Sequence, residues 1–133
     1  MLPSCQRYQK FAELLQQMRD CLSQPVDVTK IQKHLSSVQQ FFQQQIIPLL
    51  EEDDIPNLSL IQSLHTETSK QLRLLAMDVL FLHGARQNTT AKERLDTISN
   101  RIQTLIQYSD AVARSASSLR DIAQNNSLSE GEE

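Results

Sequence analysis

The sequence contains few of the residues that build turns and sheets. Among 133 residues there are two glycines, four prolines and no tryptophan, and aromatic residues make up only 5%. Glutamine, which is well tolerated in helices, occurs 17 times. This composition is poor for strands joined by tight turns and is typical of long helices. We therefore predict an all-α protein.

Cysteine is also scarce. Cys5 and Cys21 lie about four and a half turns apart on one predicted helix. A disulfide needs Cα atoms within about 7 Å, so one helix cannot bridge them. We expect reduced thiols in a cytoplasmic protein. The first residues also lack the apolar core of a secretory signal.

Long apolar runs and basic runs are both missing. The most apolar stretch consists of Leu74–Met77 and Val79–Leu82, separated by Asp78. A membrane-spanning helix needs about 20 apolar residues, so we predict no integral membrane segment. The net charge is −3 and no basic cluster follows the chain, which argues against nucleic-acid binding.

Apolar residues recur at steps of three and four along four segments, which predicts four helices. Pro25 cannot continue the first helix, and Asp27 is a good N-cap for the second. Pro48 removes a backbone donor and should kink or end that helix near Ile47. The predicted limits are about Ser4–Ser23, Asp27–Ile47, Asn57 or Ser59 to His83, and a fourth helix beginning after Thr90.

The junction between the third and fourth helices is short. Gly84 is expected to adopt the left-handed conformation after the third helix, and Thr90 with Glu93 to form a capping box. Short connections favour antiparallel neighbours. We predict an antiparallel four-helix bundle over residues 1–124, with a long helical hairpin formed by the third and fourth helices. Residues 125–133 are predicted to be a disordered acidic tail.

The C-terminal half of the third helix is apolar on two faces. Leu74, Met77 and Phe81 lie nearly opposite the stripe that faces the bundle. Either this half runs through the middle of the fold, or the three side chains form an exposed patch that a partner covers. Our hypothesis is a C₂ homodimer or a protein-binding face. The stripe facing the bundle comprises Ile61, His65, Thr68, Leu72, Leu75, Val79 and Leu82.

Charged residues accompany this second apolar face. The hairpin places Asp78 near Arg94 and Arg101, and a buried carboxylate needs such a partner. We therefore favour a structural ion pair over a catalytic role for Asp78. Arg73 and Arg86 are either solvated or part of a partner face. The candidate interface is Arg73, Leu74, Met77, Asp78, Phe81 and Arg86.

No pattern in the sequence indicates catalysis, a cofactor or a metal. His34, His65 and His83 lack metal-ligand spacing, and His65 falls on the stripe that faces the core. The acidic loop 51–54 lacks the alternating oxygens and glycine of a calcium site, and its role stays open. We expect a non-enzymatic protein.

One family resemblance is carried by "KQLRLLAMDVLFLHGARQNTTAKERLDTISNRIQTLIQYSDAV", "FFQQQIIPL" and "QRYQKFAELLQQ". These segments resemble the cyanobacterial PatD family of heterocyst frequency control proteins. The resemblance implies a cytoplasmic regulator of cell differentiation that binds the division protein FtsZ and is recruited to the division site. It implies no catalytic residues. The matching positions to test for partner binding are Gln71, Arg73, Leu74, Met77, Asp78, Phe81, Ala85, Arg86 and Gln87.

Two other functions stay open at this point. The chain could be a structural helical subunit that only self-assembles. It could also be a DNA-binding regulator, which would need a short basic recognition helix that the acidic composition does not favour.

Overall fold

Every secondary-structure element of the described residues in the computed structural model is helical. The structure describes the backbone of residues 4–23, 25–51 and 58–129, and side chains within 6–23, 25–49 and 59–114. These ranges contain no strand, which confirms the all-α prediction. The elements are α1 (Ser4–Asp20), α2 (Val28–Phe41) with a π-helical turn (Phe42–Ile46) and a 3₁₀ turn (Ile47–Glu51), α3 (Leu58–Gly84) and α4 (Asn88–Ser129).

The four helices form an antiparallel bundle in which α1 and α3 each pack against α2 and α4. In the α3–α4 hairpin, Asp78 contacts Arg101, while Phe81 lies against Arg94. Later residues of α3 therefore meet earlier residues of α4, as antiparallel helices require. The predicted bundle and its long hairpin are confirmed.

The core is built from the apolar stripes that the sequence predicts. Leu15, Leu75 and Leu105 are fully enclosed, and the stripes of all four helices contribute. Leu95 of α4 packs against this core but is only partly buried. The buried apolar side chains are Tyr8, Phe11, Leu15, Met18, Ile31, Leu35, Val38, Phe42, Ile46, Leu49, Ile61, Leu72, Leu75, Val79, Leu82, Ile98, Ile102, Leu105 and Val112.

The end of α2 shows how Pro48 acts. A proline has no N–H to donate, and its ring collides with the carbonyl four residues earlier in an α-helix. The chain widens before it into a π turn, where the Ile47 N–H donates to the Phe42 carbonyl. It then tightens into the 3₁₀ turn that contains Pro48. The predicted change near Ile47 is confirmed, and Asp27 caps α2 by accepting from Thr29 and Lys30.

Two predicted helix caps are wrong. Gly84 is the last residue of α3 itself, and its backbone lies outside the left-handed region. The fourth helix begins at Asn88, and the Ala91 N–H donates to the Gln87 carbonyl at 3.0 Å, so Thr90 is already inside it. Ala85 and the two residues after it reverse the chain. α4 therefore starts before the capping box that was predicted at Thr90.

The ends of the elements differ slightly from the sequence prediction. The first helix ends at Asp20 rather than Ser23, because Leu22 N–H turns back to the Arg19 carbonyl at 3.1 Å. α4 continues to Ser129, past the predicted domain limit at residue 124. Residues 130–133 of the predicted tail, and 52–54 of the acidic loop, lie outside the described residues. No helix in the described ranges has the length and apolar content needed to cross a membrane.

Removing apolar volume from the inner stripe of α3 should destabilise the bundle. We expect Leu75→Ala to lower the free energy of unfolding by about 2–5 kcal/mol, because the site is fully enclosed. Leu80→Ala on the same helix should change it by less than about 0.5 kcal/mol, since Leu80 is 63% exposed. Urea unfolding followed by circular dichroism measures both. Equal losses for the two variants would contradict this assignment of inner and outer faces.

Candidate functional site

Large apolar side chains lie on the outer surface of α3. Met77 is 51% exposed, Leu80 63% and Phe81 46%. We call these three residues the α3 patch. Met77 and Phe81 were predicted to be exposed here. Leu74 was predicted with them but is half-buried, and Leu80 was missed. Leu80 falls between the two stripes that were considered on the helical wheel, although its position three residues after Met77 was a usable signal.

Asp78 is buried between α3 and α4. Its carboxylate accepts a hydrogen bond from Arg101 Nε, and Arg94 Nη1 lies 3.7 Å from its other oxygen. Arg101 Nη1 also donates to Gln71 Oε1 at 3.3 Å. Both cations proposed from the sequence are therefore the partners of Asp78, as a buried carboxylate requires.

Arg94 connects this ion pair to the α3 patch. Its guanidinium carbon lies 4.8 Å from the centre of the Phe81 ring, within the range of a cation–π contact. One side chain thus contacts the buried carboxylate of Asp78 and the exposed ring of Phe81. This arrangement limits how far the ring can move and holds part of the patch in one shape.

Cationic side chains lie on α3 before the α3 patch and in the loop after the helix. Arg73 lies one turn and Lys70 two turns before Met77, and Arg86 follows the end of the helix. All three are exposed. We call them the basic rim. From Thr68 to the end of α3, the only carboxylate is the paired, buried Asp78. This half of α3 therefore presents apolar groups and cations to solvent.

A polar cluster lies at the other end of the bundle. The Tyr8 hydroxyl and His65 Nε2 form a hydrogen bond, and Ser109 Oγ donates to the Tyr8 carbonyl at 2.6 Å. The Phe42 ring meets the imidazole edge-on, with centroids 5.9 Å apart. His65 Nδ1 is buried without a partner among the described residues. The cluster therefore joins α1 to α3 through Tyr8 and His65, and α1 to α4 through Ser109.

Burial controls the protonation of this cluster. Desolvation lowers the pKa of His65 from 6.5 to about 4 and raises the pKa of Tyr8 above its usual value. At neutral pH the imidazole is therefore neutral. The cavity beside it holds about 10 Å³, room for about one water molecule. The sequence prediction that His65 belongs to the core is confirmed. No group of three His, Cys, Asp or Glu side chains within the described residues could hold a metal ion.

Comparison with known proteins identifies the family. Residues 7–110, well over half of the chain, match the CRR41 C-terminal domain, and the chain belongs to that family. No curated protein and no solved structure matches the chain. The resemblance to the PatD family is therefore wrong. The segments that suggested it are helical patterns, which different bundle families share. Heterocyst control, FtsZ binding and division-site recruitment followed from that resemblance alone and lose their basis with it.

Removing the buried carboxylate should destabilise the α3–α4 hairpin. We expect Asp78→Ala to cost about 2–4 kcal/mol, because Arg101 and Arg94 lose their counter-charge in a partly desolvated position. The matched control is Asp96→Ala on the exposed surface of α4, which should change stability by less than about 0.5 kcal/mol. Urea unfolding at neutral pH compares them. A neutral Asp78 variant would show that the ion pair does not hold the hairpin.

Acid should weaken the bundle through His65. Its pKa is about 4 in the folded state and 6.5 when unhindered, so the unfolded chain binds more protons between these values. The contribution of the buried, neutral His65 to the free energy of unfolding is complete above pH 6.5. It is lost as the pH falls toward 4, by about 2 kcal/mol after allowance for solvent screening.

The measurement is the difference in unfolding free energy between the wild type and His65→Gln across this pH range. The difference should shrink on acidification, because the glutamine does not titrate. An unchanged difference between wild type and His65→Gln would disprove the assignment.

Proposed function

We propose that this chain is a non-enzymatic helical module that binds a partner protein through the α3 patch. The observation that carries the proposal is a contrast between helices of one bundle. Every exposed residue of α1, α2 and α4 between positions 6 and 114 is polar. On α3, by contrast, the outer surface carries Met77, Leu80 and Phe81.

The fold does not need the α3 patch for its own core. The inner stripe of α3, including Leu75 and Val79, is already buried against α2 and α4. Apolar residues scattered singly on a surface are ordinary, but adjacent ones often mark an interaction site. Leu60 and Ile47 are also exposed, yet they lie far along the chain from the patch. Methionine, arginine and aromatic residues are enriched in protein interfaces, which supports a partner protein.

The contacts around Phe81 support binding by a preformed surface. Arg94 stacks on its ring while it also meets Asp78, so part of the patch is fixed before a partner arrives. A surface that is already ordered loses less conformational entropy on association. This favours a protein partner that fits the shape of α3 over non-specific apolar contact.

Self-association is the alternative use of the α3 patch. A C₂ homodimer would bring the same surface of two copies together. The basic rim of one copy (Lys70, Arg73 and Arg86) would then approach the basic rim of the other. Such like charges oppose one another, so the charge distribution favours a different chain as the partner.

Leu80→Asp tests the proposal. The wild-type chain is used to capture proteins from cells of the source organism. With Leu80→Asp the amount of captured protein should fall at least about 30-fold, because a charge in a hot spot costs about 2 kcal/mol or more. Leu60→Asp is the matched control, since Leu60 is 47% exposed on the same helix. It should capture the same proteins as the wild type. Circular dichroism checks that both variants are folded.

Two outcomes would contradict the proposal. If Leu80→Asp captures the same proteins as Leu60→Asp, the α3 patch is not the docking surface. If sedimentation shows a wild-type dimer that Leu80→Asp converts to a monomer and no other protein is captured, the patch serves self-association instead.

A further inference from the structure

A groove lies beside the α3 patch, between α3 and the end of α2. Its volume is about 290 Å³, and its floor is formed by Phe42 and Leu72, which are almost fully buried. Gln39 and Gln43 line it from α2 and the π turn, and Ser69 and Arg73 line it from α3. The groove thus combines an apolar floor with two carboxamides, one hydroxyl and one guanidinium.

Arg73 is the charged group of this groove. Its side chain is exposed and has no carboxylate partner among the described residues. A guanidinium can hold a carboxylate through two parallel, charge-assisted hydrogen bonds, which are stronger than hydrogen bonds between neutral groups. The neighbouring amides can donate further hydrogen bonds to the same anion.

The surrounding surface has the same sign of charge. From Val28 to Ile46 the chain contains Lys30 and Lys33 but no aspartate or glutamate. On α3 from Thr68 onward, Asp78 is the only acid, and it is neutralised on the side facing α4. From Val28 to Ile46 and on α3 from Thr68 onward the outer surface is therefore basic, in a chain whose net charge is −3; Glu67 of α3 lies just before the second stretch. A partner that fits it carries negative charge.

The groove and the α3 patch are continuous along α3. Met77 follows Arg73 by four residues and Leu80 follows it by seven, so the three lie on one side of the helix. At 1.5 Å per residue these steps are about 6 and 10 Å along the axis. A bound helix with the same repeat can set a carboxylate at Arg73 and apolar side chains at Met77 and Leu80.

We propose that the groove and the α3 patch form one docking surface for an acidic amphipathic helix of a partner protein. This inference rests on the proposed function and specifies the partner. Arg73 receives a carboxylate of that helix, with Gln39, Gln43 and Ser69 around it. Met77 and Leu80 receive its apolar side chains. A helix placed between two antiparallel helices is a recurrent mode of peptide recognition.

Three synthetic helical peptides test this inference. All share one stripe of leucines at positions i, i+4 and i+7, and the residues beside the stripe are all Glu, all Gln or all Lys. Each is titrated into the isotope-labelled full chain and followed by NMR. We expect the Glu peptide to bind about tenfold or more tightly than the Lys peptide, and to shift the signals of Gln39, Gln43, Ser69, Arg73 and Leu80.

Variants separate the role of Arg73 from general charge. Arg73→Gln should weaken the Glu peptide about tenfold and leave the Gln peptide unchanged, because only a carboxylate uses the guanidinium. Arg114→Gln, an exposed arginine of α4, is the matched control and should leave all three affinities unchanged. Leu80→Asp should weaken every peptide, because each uses the leucine stripe.

The outcomes distinguish this inference from the function it rests on. If Leu80→Asp weakens all peptides but Arg73→Gln does not affect the Glu peptide, the patch docks a protein and the groove is not its carboxylate site. The proposal that the partner supplies an acidic helix is overturned if the Glu and Lys peptides bind equally or if no peptide binds. The same result follows if a single-stranded oligonucleotide shifts these signals at lower concentration than the Glu peptide, because the surface then serves a nucleic acid.

Discussion

The carboxylate of Asp78 is the charge on which the outer surface of the α3–α4 hairpin depends. It lies buried where the two helices meet, bonded to Arg101 and 3.7 Å from Arg94. A buried charge of this kind holds its partners firmly, because leaving it unpaired would be costly. Arg94 also lies over the exposed ring of Phe81. One anion therefore links the register of two core helices to the shape of a surface patch.

The arrangement of the bundle explains why an apolar outer surface on α3 is informative. Each helix contacts two neighbours, so each has an outer side that no other helix covers. On α1 that side carries residues such as Gln9 and Glu13, and on α4 it carries Asp96 and Asn100. The same bundle position on α3 holds the patch. Because three helices are stable with polar outer sides, folding alone does not account for the apolar residues of the fourth.

Much of the fold followed from the sequence, because a buried stripe is a property of one helix. Partners for Asp78 could be predicted because a short loop sets the register between α3 and α4. The caps at Gly84 and Thr90 were wrong because a cap contributes only about 1 kcal/mol and yields to the path of the loop. Leu80 was missed because it falls between two idealised stripes. The PatD resemblance failed since helical periodicity alone does not distinguish families.

The groove could not be predicted, because its two walls come from separate helices. Gln39 and Gln43 stand on one wall, and Ser69 and Arg73 on the other, more than twenty residues away in sequence. The alignment of the two walls depends on Phe42, which packs against His65 of α3 and Phe11 of α1. The buried His65 cluster thus positions the start of the groove. Asp78 positions the α3 patch, at the other end of the proposed docking surface. Two buried polar contacts, about 20 Å apart along α3 by helical rise, together orient the surface that we assign to a partner.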